Sequence, residues 1–272
     1  IHQITADHMD VGIRYNDDLH HMDMQLGSGN DTILIDTAQI KTTLEIHTGH
    51  EAPIPNVIND VINIKQIRSN AVINAGQGDD ILRTNFDNTG RQTNQSGIHA
   101  EIILTGAEGS DSYDIGLAGR ADGVITIKDG AGTQDQGIDR LTIYGTDAED
   151  FYLLRAYRDT TTGFANGMVL SYQIDESLAP VDDAQIERVN YDDSIEGTLT
   201  IYGREGDDTF VLDDNLFPTT IYGDAGNDTF QIAQVFKSRR DEINPYNGLE
   251  TDEYLETLHT TRGFLTNGVS QN

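Results

Sequence analysis

Gly203–Phe210 (GREGDDTF) and Gly223–Phe230 (GDAGNDTF) are two versions of one phrase, and the reading of the whole chain starts from them. They lie 20 residues apart, and Thr200, Ile201 and Tyr202 upstream fall in register with Thr220, Ile221 and Tyr222, so the recurrence covers eleven positions. A single structural unit has been used twice in succession. Gly203 and Gly206, like Gly223 and Gly226, supply the backbone freedom of a tight turn. Asp207 and Asp208, and Asn227 and Asp228, crowd acceptor oxygens around it. Each turn is entered by a β-rich run (Leu199–Tyr202, Thr219–Tyr222) and left by another (Thr209–Leu212, Thr229–Ile232), with apolar residues alternating at Phe210/Leu212 and Phe230/Ile232. Stacking the two units brings the carboxylates of Asp208 and Asp228 together, which is unfavourable unless a cation lies between them.

The same grammar recurs upstream. LGSGNDTILID (Leu26–Asp36) carries Gly27, Gly29, Asn30 and Asp31 into alternating Ile33 and Ile35. AGQGDDILR (Ala75–Arg83) carries Gly76, Gly78, Asp79 and Asp80, and GAEGSDSYDIG carries Gly106, Gly109 and Asp111. Short β-branched runs at 43–47, 57–64, 71–75, 99–105, 123–128 and 140–144 predict strands between the turns. LTIYGTDAEDFY, from Leu141, lies on LTIYGREGDDTF with a shift of 58 residues. There Ala148 replaces the second glycine, so the turn is expected to persist while its metal site fails. Tyr144, Tyr202 and Tyr222 form a ladder by register, expected to be packing rather than a sugar-stacking platform. The polar stretch 84–97 predicts a loop excursion, and 155–196 an insert that extends the sheet or forms a lid over it.

The chain has 272 residues, 36% of them apolar, five prolines and a formal charge of −29, with no cysteine. It can bury a real core. The charge excludes nucleic acid and anionic membranes as partners and favours cations. No apolar run is long enough to cross a membrane. The lack of cysteine removes disulfides, thiolate zinc sites and cysteine nucleophiles together. Neither His20–His21 nor His47 and His50 has the spacing of a helical zinc motif, and no nucleophile elbow, phosphate-binding loop or dinucleotide fingerprint is present. Residue 1 is Ile rather than Met, so the chain is expected to be part of something longer.

Five of these turns resemble the calcium-binding nonapeptide G-G-x-G-x-D-x-U-x of the RTX (haemolysin-type) repeat family. Gly203–Val211, Gly223–Gln231 and Gly106–Asp114 keep the first and fourth glycines, the sixth-position Asp and, in the first two most clearly, the apolar eighth residue; Leu26–Leu34 and Ala75–Arg83 keep the second glycine instead of the first. The resemblance implies an all-β chain folded as a right-handed parallel β-roll or β-helix. Ca²⁺ would lie between successive turns, held by Asp31, Asp80, Asp111, Asp208 and Asp228 and by the carbonyls of Gly29, Gly78, Gly109, Gly206 and Gly226. Asp207, Asn227, Gly203 and Gly223 complete the best-matching pair of turns. Family rolls repeat every nine residues, whereas these turns recur every 20 or more, so each motif is expected on one side of a larger coil.

The expected organisation is a β-solenoid over residues 1–236 and a C-terminal cap or linker over 237–272, with a short helix at Leu249–His259 or the segment TTRGFLTNG covering the open end of the stack. The expected function is a non-enzymatic calcium-binding structural module, secreted or on a cell surface. The alternatives are a carbohydrate-active enzyme or accessory module on a β-helix, and a self-assembling protomer whose partners are copies of itself or surface and matrix polymers.

Overall fold

The computed structural model describes residues 2–6, 13–15, 18–27, 29–37, 43–49, 59–93, 97–130, 137–158, 165–174, 186–195, 197–213 and 215–232. Among them there is no helix, and the cap helix expected at Leu249–His259 lies outside the described residues. The strands are β1 (His2–Ala6), β2 (Ile13–Tyr15), β3 (His21–Gln25), β4 (Thr32–Thr37), β5 (Thr43–His47), β6 (Val61–Ile64) and β7 (Asn70–Gln77). Then come β8 (Ile81–Thr84), β9 (Glu101–Glu108), β10 (Ser112–Gly116), β11 (Val124–Ile127), β12 (Arg140–Tyr144) and β13 (Asp150–Arg158). The last are β14 (Ala165–Gln173), β15 (Glu187–Asp192), β16 (Leu199–Tyr202), β17 (Thr209–Leu212), β18 (Thr219–Tyr222) and β19 (Thr229–Ile232).

From β3 to β12 the chain alternates between two sheets, and it does so again from β15 to β19. One sheet has nine strands in the order β18-β16-β12-β10-β8-β6-β4-β1-β2, the other ten in the order β19-β17-β13-β14-β15-β11-β9-β7-β5-β3. The pairings are parallel except where β1 meets β2 and β4, and where β14 meets β13 and β15. The 20-residue recurrence is a literal pairing: Tyr202 lies beside Tyr222 and Phe210 beside Phe230. The 58-residue shift is equally literal, with Leu141 beside Leu199 and Tyr152 beside Phe210.

The alternation read from the sequence sends one side chain of each pair inward. Ile33, Ile62, Leu82, Tyr113, Ile143 and Ile201 from the nine-stranded sheet share one core with Leu44, Ile73, Ile102, Ile125, Tyr152 and Phe210 from the ten-stranded sheet. Each such burial contributes about 1.5–3 kcal/mol. Register also aligns aromatic rings: Tyr152 stacks on Phe210 at 4.6 Å and Phe210 on Phe230 at 5.0 Å.

The insert near 155–196 extends the sheet. β14 lies antiparallel between β13 and β15, so the ten-stranded sheet gains a strand that interrupts the one-strand-per-crossing rhythm. The excursion near 84–97 is ordered in its described part up to Thr93. Phe86 and Gln92 form an antiparallel bridge, with the Thr93 N–H donating to the Asn85 carbonyl at 2.8 Å.

Candidate functional site

The chain crosses between the sheets along two edges. On the first edge it passes from the ten-stranded to the nine-stranded sheet, through the turns that end at Asp31, Asp80 and Asp111; on the second it passes back, through those that end at Asp208 and Asp228. The five motif turns therefore fall into two groups on opposite edges. Asp208 and Asp228 are neighbours, as are Asp80 and Asp111, but the two sets do not meet.

All five turns have one backbone shape. Their fourth residue is a glycine at positive φ: Gly29 at 138°, Gly78 at 136°, Gly109 at 138°, Gly206 at 114° and Gly226 at 144°. At Gly109, Gly206 and Gly226 the glycine is also enforced by the neighbouring turn, whereas a Cβ on Gly29 would meet nothing within 4 Å. A Cβ on Gly226 would lie 1.8 Å from the Gly206 carbonyl oxygen, and one on Gly109 would lie 1.7 Å from that of Gly78. The second position also has positive φ, occupied by Gly27 and Gly76 in two turns and by Ala107, Arg204 and Asp224 in the others. The first-position glycines lie against the carboxylate that closes the turn. Added Cβ atoms on Gly106, Gly203 and Gly223 would approach Oδ2 of Asp111, Asp208 and Asp228 to 2.0, 2.2 and 2.1 Å.

The sixth-position aspartates form ladders through the backbone. On the first edge the N–H of Asp31 donates to Asp60 Oδ1, that of Asp60 to Asp80, that of Asp80 to Asp111 and that of Asp111 to Asp139, at 2.7, 2.7, 2.7 and 2.8 Å. On the second edge the N–H of Asp150 donates to Asp208 Oδ1 at 2.9 Å and that of Asp208 to Asp228 at 3.0 Å. Fifth-position residues form a looser outer row: the Ser110 N–H donates to Asp79 at 2.9 Å and the Asn227 N–H to Asp207 at 2.8 Å.

One oxygen of each ladder carboxylate therefore caps a backbone N–H, a strong charge-assisted bond. The sequence reading called for a cation to separate stacked carboxylates; the neighbour's amide does part of that work. Asp60, Asp80, Asp111, Asp139, Asp150 and Asp208 are at most 1% exposed, and the second oxygens of Asp80 and Asp208 are buried without a hydrogen-bond partner. Burial, reinforced by the charges of Asp60, Asp79 and Asp129, pushes Asp80 up to about 7 against the pull of the Asp60 N–H. Burial, reinforced by Asp150, Asp228 and Glu149, likewise pushes Asp208 up to about 7. In the eroded turn, Asp150 spends Oδ2 on the Thr146 N–H and hydroxyl at 2.8 and 2.9 Å and is raised by burial only to about 6. A local hydroxyl there takes the place of the second glycine's turn.

The first edge brings a third carboxylate to the ladder. Ligand oxygens of Asp111, Asp129 and Asp139, all buried, lie within 4.8 Å of one another. Asp129 follows β11 and is oriented from below: its Oδ1 accepts the Tyr113 hydroxyl at 2.7 Å and the Ala107 N–H at 3.0 Å. The Tyr113 hydroxyl in turn accepts the Gly106 N–H at 2.6 Å. Three carboxylates at this separation could hold a metal ion.

Asp60, Asp129, Asp139 and Asp150 were not singled out by the motif. Asp139 had a signal, since Gly137-Ile138-Asp139 repeats the G-x-D core and a Cβ on Gly137 would lie 1.4 Å from the Gly109 carbonyl oxygen. Asp60 is preceded by Asn59, as Asp228 is by Asn227, but Ile58 stands where Gly226 does. Asp129 reaches the ladder only through the fold. Comparison with known proteins found no matching family model, no similar curated protein and no similar solved structure.

Proposed function

We propose that this chain is a non-enzymatic structural module of a secreted or cell-surface bacterial protein, built as a right-handed parallel β-roll similar to RTX repeats and stabilised by calcium along its aspartate edges. The observation that carries the reading is the convergence of Asp111, Asp129 and Asp139, three buried carboxylates from two successive turns and the strand end beside them. An ion there would tie the turn at Gly106–Asp111 to the one that ends at Asp139 and supply the counter-charge that burial withholds. The donors are all oxygens in a chain of charge −29, which favours calcium over zinc or copper. Asp208 with Asp228 is the corresponding place on the second edge, with two carboxylates in successive turns.

Titration calorimetry on the chelator-stripped chain tests this directly. Calcium should bind with a dissociation constant of about 10⁻⁴ to 10⁻³ M, the range of extracellular modules. Asp129→Asn, which keeps an acceptor for Tyr113 but removes a charge, should abolish the first-edge site. Asp208→Ala with Asp228→Ala should reduce the remaining uptake. A chain that takes up no calcium and melts identically with and without chelator overturns the reading.

A further inference from the structure

A cleft of about 800 Å³ opens on the outer face of the nine-stranded sheet beside the second edge, within the size range of small-molecule sites. Its base is the tyrosine ladder: Tyr144 stacks on Tyr202 at 5.4 Å and Tyr202 on Tyr222 at 4.9 Å, with interplanar angles of 12° and 9°. Tyr202 is stacked between Tyr144 and Tyr222, so the tyrosines that line the cleft turn their edges rather than their faces to it. Phe86 closes one end, edge-on to Tyr144 at 5.6 Å.

The far wall is the small hairpin that leaves β8, and it is fixed in place. The Gln92 side-chain amide donates to the Gly145 carbonyl at 2.9 Å and to the Leu117 and Tyr144 carbonyls at 3.2 and 3.3 Å, while its oxygen accepts from Arg204 at 2.5 Å. The Asp87 carboxylate holds the tip of the hairpin, accepting the Thr89 hydroxyl at 2.6 Å and the Arg91 N–H at 3.1 Å. A site whose walls are already tied down loses little freedom on binding.

The cleft is lined by three arginines and four aspartates, a near balance of charge. Arg83 pairs with Asp114 at 3.0 Å and Arg204 with Asp147 at 2.9 Å, with Arg91 and Asp224 also lining the opening. At Asp114 and Asp147 a cationic ligand would have to displace a guanidinium, and at Arg83 and Arg204 an anionic one a carboxylate, the latter in the field of a chain of charge −29. A ligand rich in neutral hydroxyls displaces neither, because each hydroxyl can donate to a carboxylate and accept from a guanidinium at once. The donors and acceptors recur from strand to strand, at about 4.8 Å, a step comparable with the advance of one pyranose unit. We infer that this cleft binds a neutral oligosaccharide. The stacked tyrosines thus serve packing along the sheet and recognition at their edges. Asp87 is held below the usual carboxylate range by the Thr89 hydroxyl and by the N–H groups of Arg91 and Thr89, which suits an acceptor of hydroxyl protons and not an acid that protonates a leaving group.

This inference is independent of the calcium reading and is tested with calcium present throughout. The full chain is applied to a printed panel of neutral and uronic-acid oligosaccharides, and the best neutral binder is then titrated by calorimetry. Retention of neutral oligosaccharides is expected, with affinity at least tenfold weaker in Arg204→Gly, which removes the guanidinium while relieving a positive φ. Asp224→Asn and Arg91→Ala, both at exposed positions, should weaken binding several-fold without moving the melting temperature. Retention of uronic-acid glycans alone, retention of nothing, or affinity unchanged in all three variants overturns the inference.

Discussion

Raising the pH in the presence of a chelator should destabilise this fold, the reverse of the usual behaviour of carboxylates held by cationic partners. Asp80 and Asp208 are raised from 3.8 to about 7 by burial among other acids. A carboxyl raised in the folded state binds its proton more tightly there than in the unfolded chain. The stability it contributes is complete below about pH 4 and is lost as the pH climbs through 7. At pH 5 about two units of difference remain, or about 3 kcal/mol for each group at 1.36 kcal/mol per unit. By pH 8 nearly all of it is gone. Together the two groups amount to about 5 kcal/mol, or a fall in melting temperature of about 10–20 °C for a chain of this length. On the calcium reading proposed above, calcium should reverse the sign, because it would bind the deprotonated carboxylates. Melting followed by circular dichroism at pH 5 and pH 8, each with chelator and with millimolar calcium, gives the four values required. The chelator should cost many degrees at pH 8 and few at pH 5. Asp80→Asn keeps the acceptor for the Asp60 N–H but cannot ionise, so it should remove about half of the pH dependence. A melting temperature in chelator that rises from pH 5 to pH 8, or a chelator effect equal at both, refutes the reasoning.

Three further outcomes concern the turns and the core. Gly223→Ala places a methyl 2.1 Å from Asp228 Oδ2 and should cost about 1–3 kcal/mol by overpacking, read as a lower denaturant midpoint with unchanged slope. Ala107→Gly should raise stability by about 0.5–1 kcal/mol, because Ala107 sits at φ 83°, where a side chain is strained; a lower midpoint would contradict the shared turn geometry. Phe210→Ala, at a fully buried ring stacked between Tyr152 and Phe230, should cost about 3–5 kcal/mol in the same assay.

The register was legible because identical residues stack best on themselves: the phrases at 200 and 220 and the eroded copy at 142 pair residue for residue. The edge on which each motif lies was not legible, since a turn from one sheet to the other looks the same in either direction. That depends on how many strands intervene, and β14, an antiparallel strand within a parallel sheet, changes the count. The role of Asp was half legible. Asp80, Asp111 and Asp208 are in the ladder, but their amide partners belong to the preceding coil, and nothing local in the motif records that an N–H 20 to 58 residues away is waiting. Asp129 carries no motif at all, and its place beside Asp111 comes from the Tyr113 hydroxyl and the Ala107 amide.

The hydrogen bonds of both ladders run one way. In every rung the amide belongs to the earlier coil and the carboxylate to the later one. Along these two ladders each amide is therefore capped by the succeeding coil, while in the outer row the later amide donates back to the earlier carboxylate. Along the ladder, a chain that emerges N-terminus first ends in an aspartate amide awaiting its acceptor, and each new turn caps the amide before it and leaves its own open. Order of arrival is thus built into the edge as a ratchet.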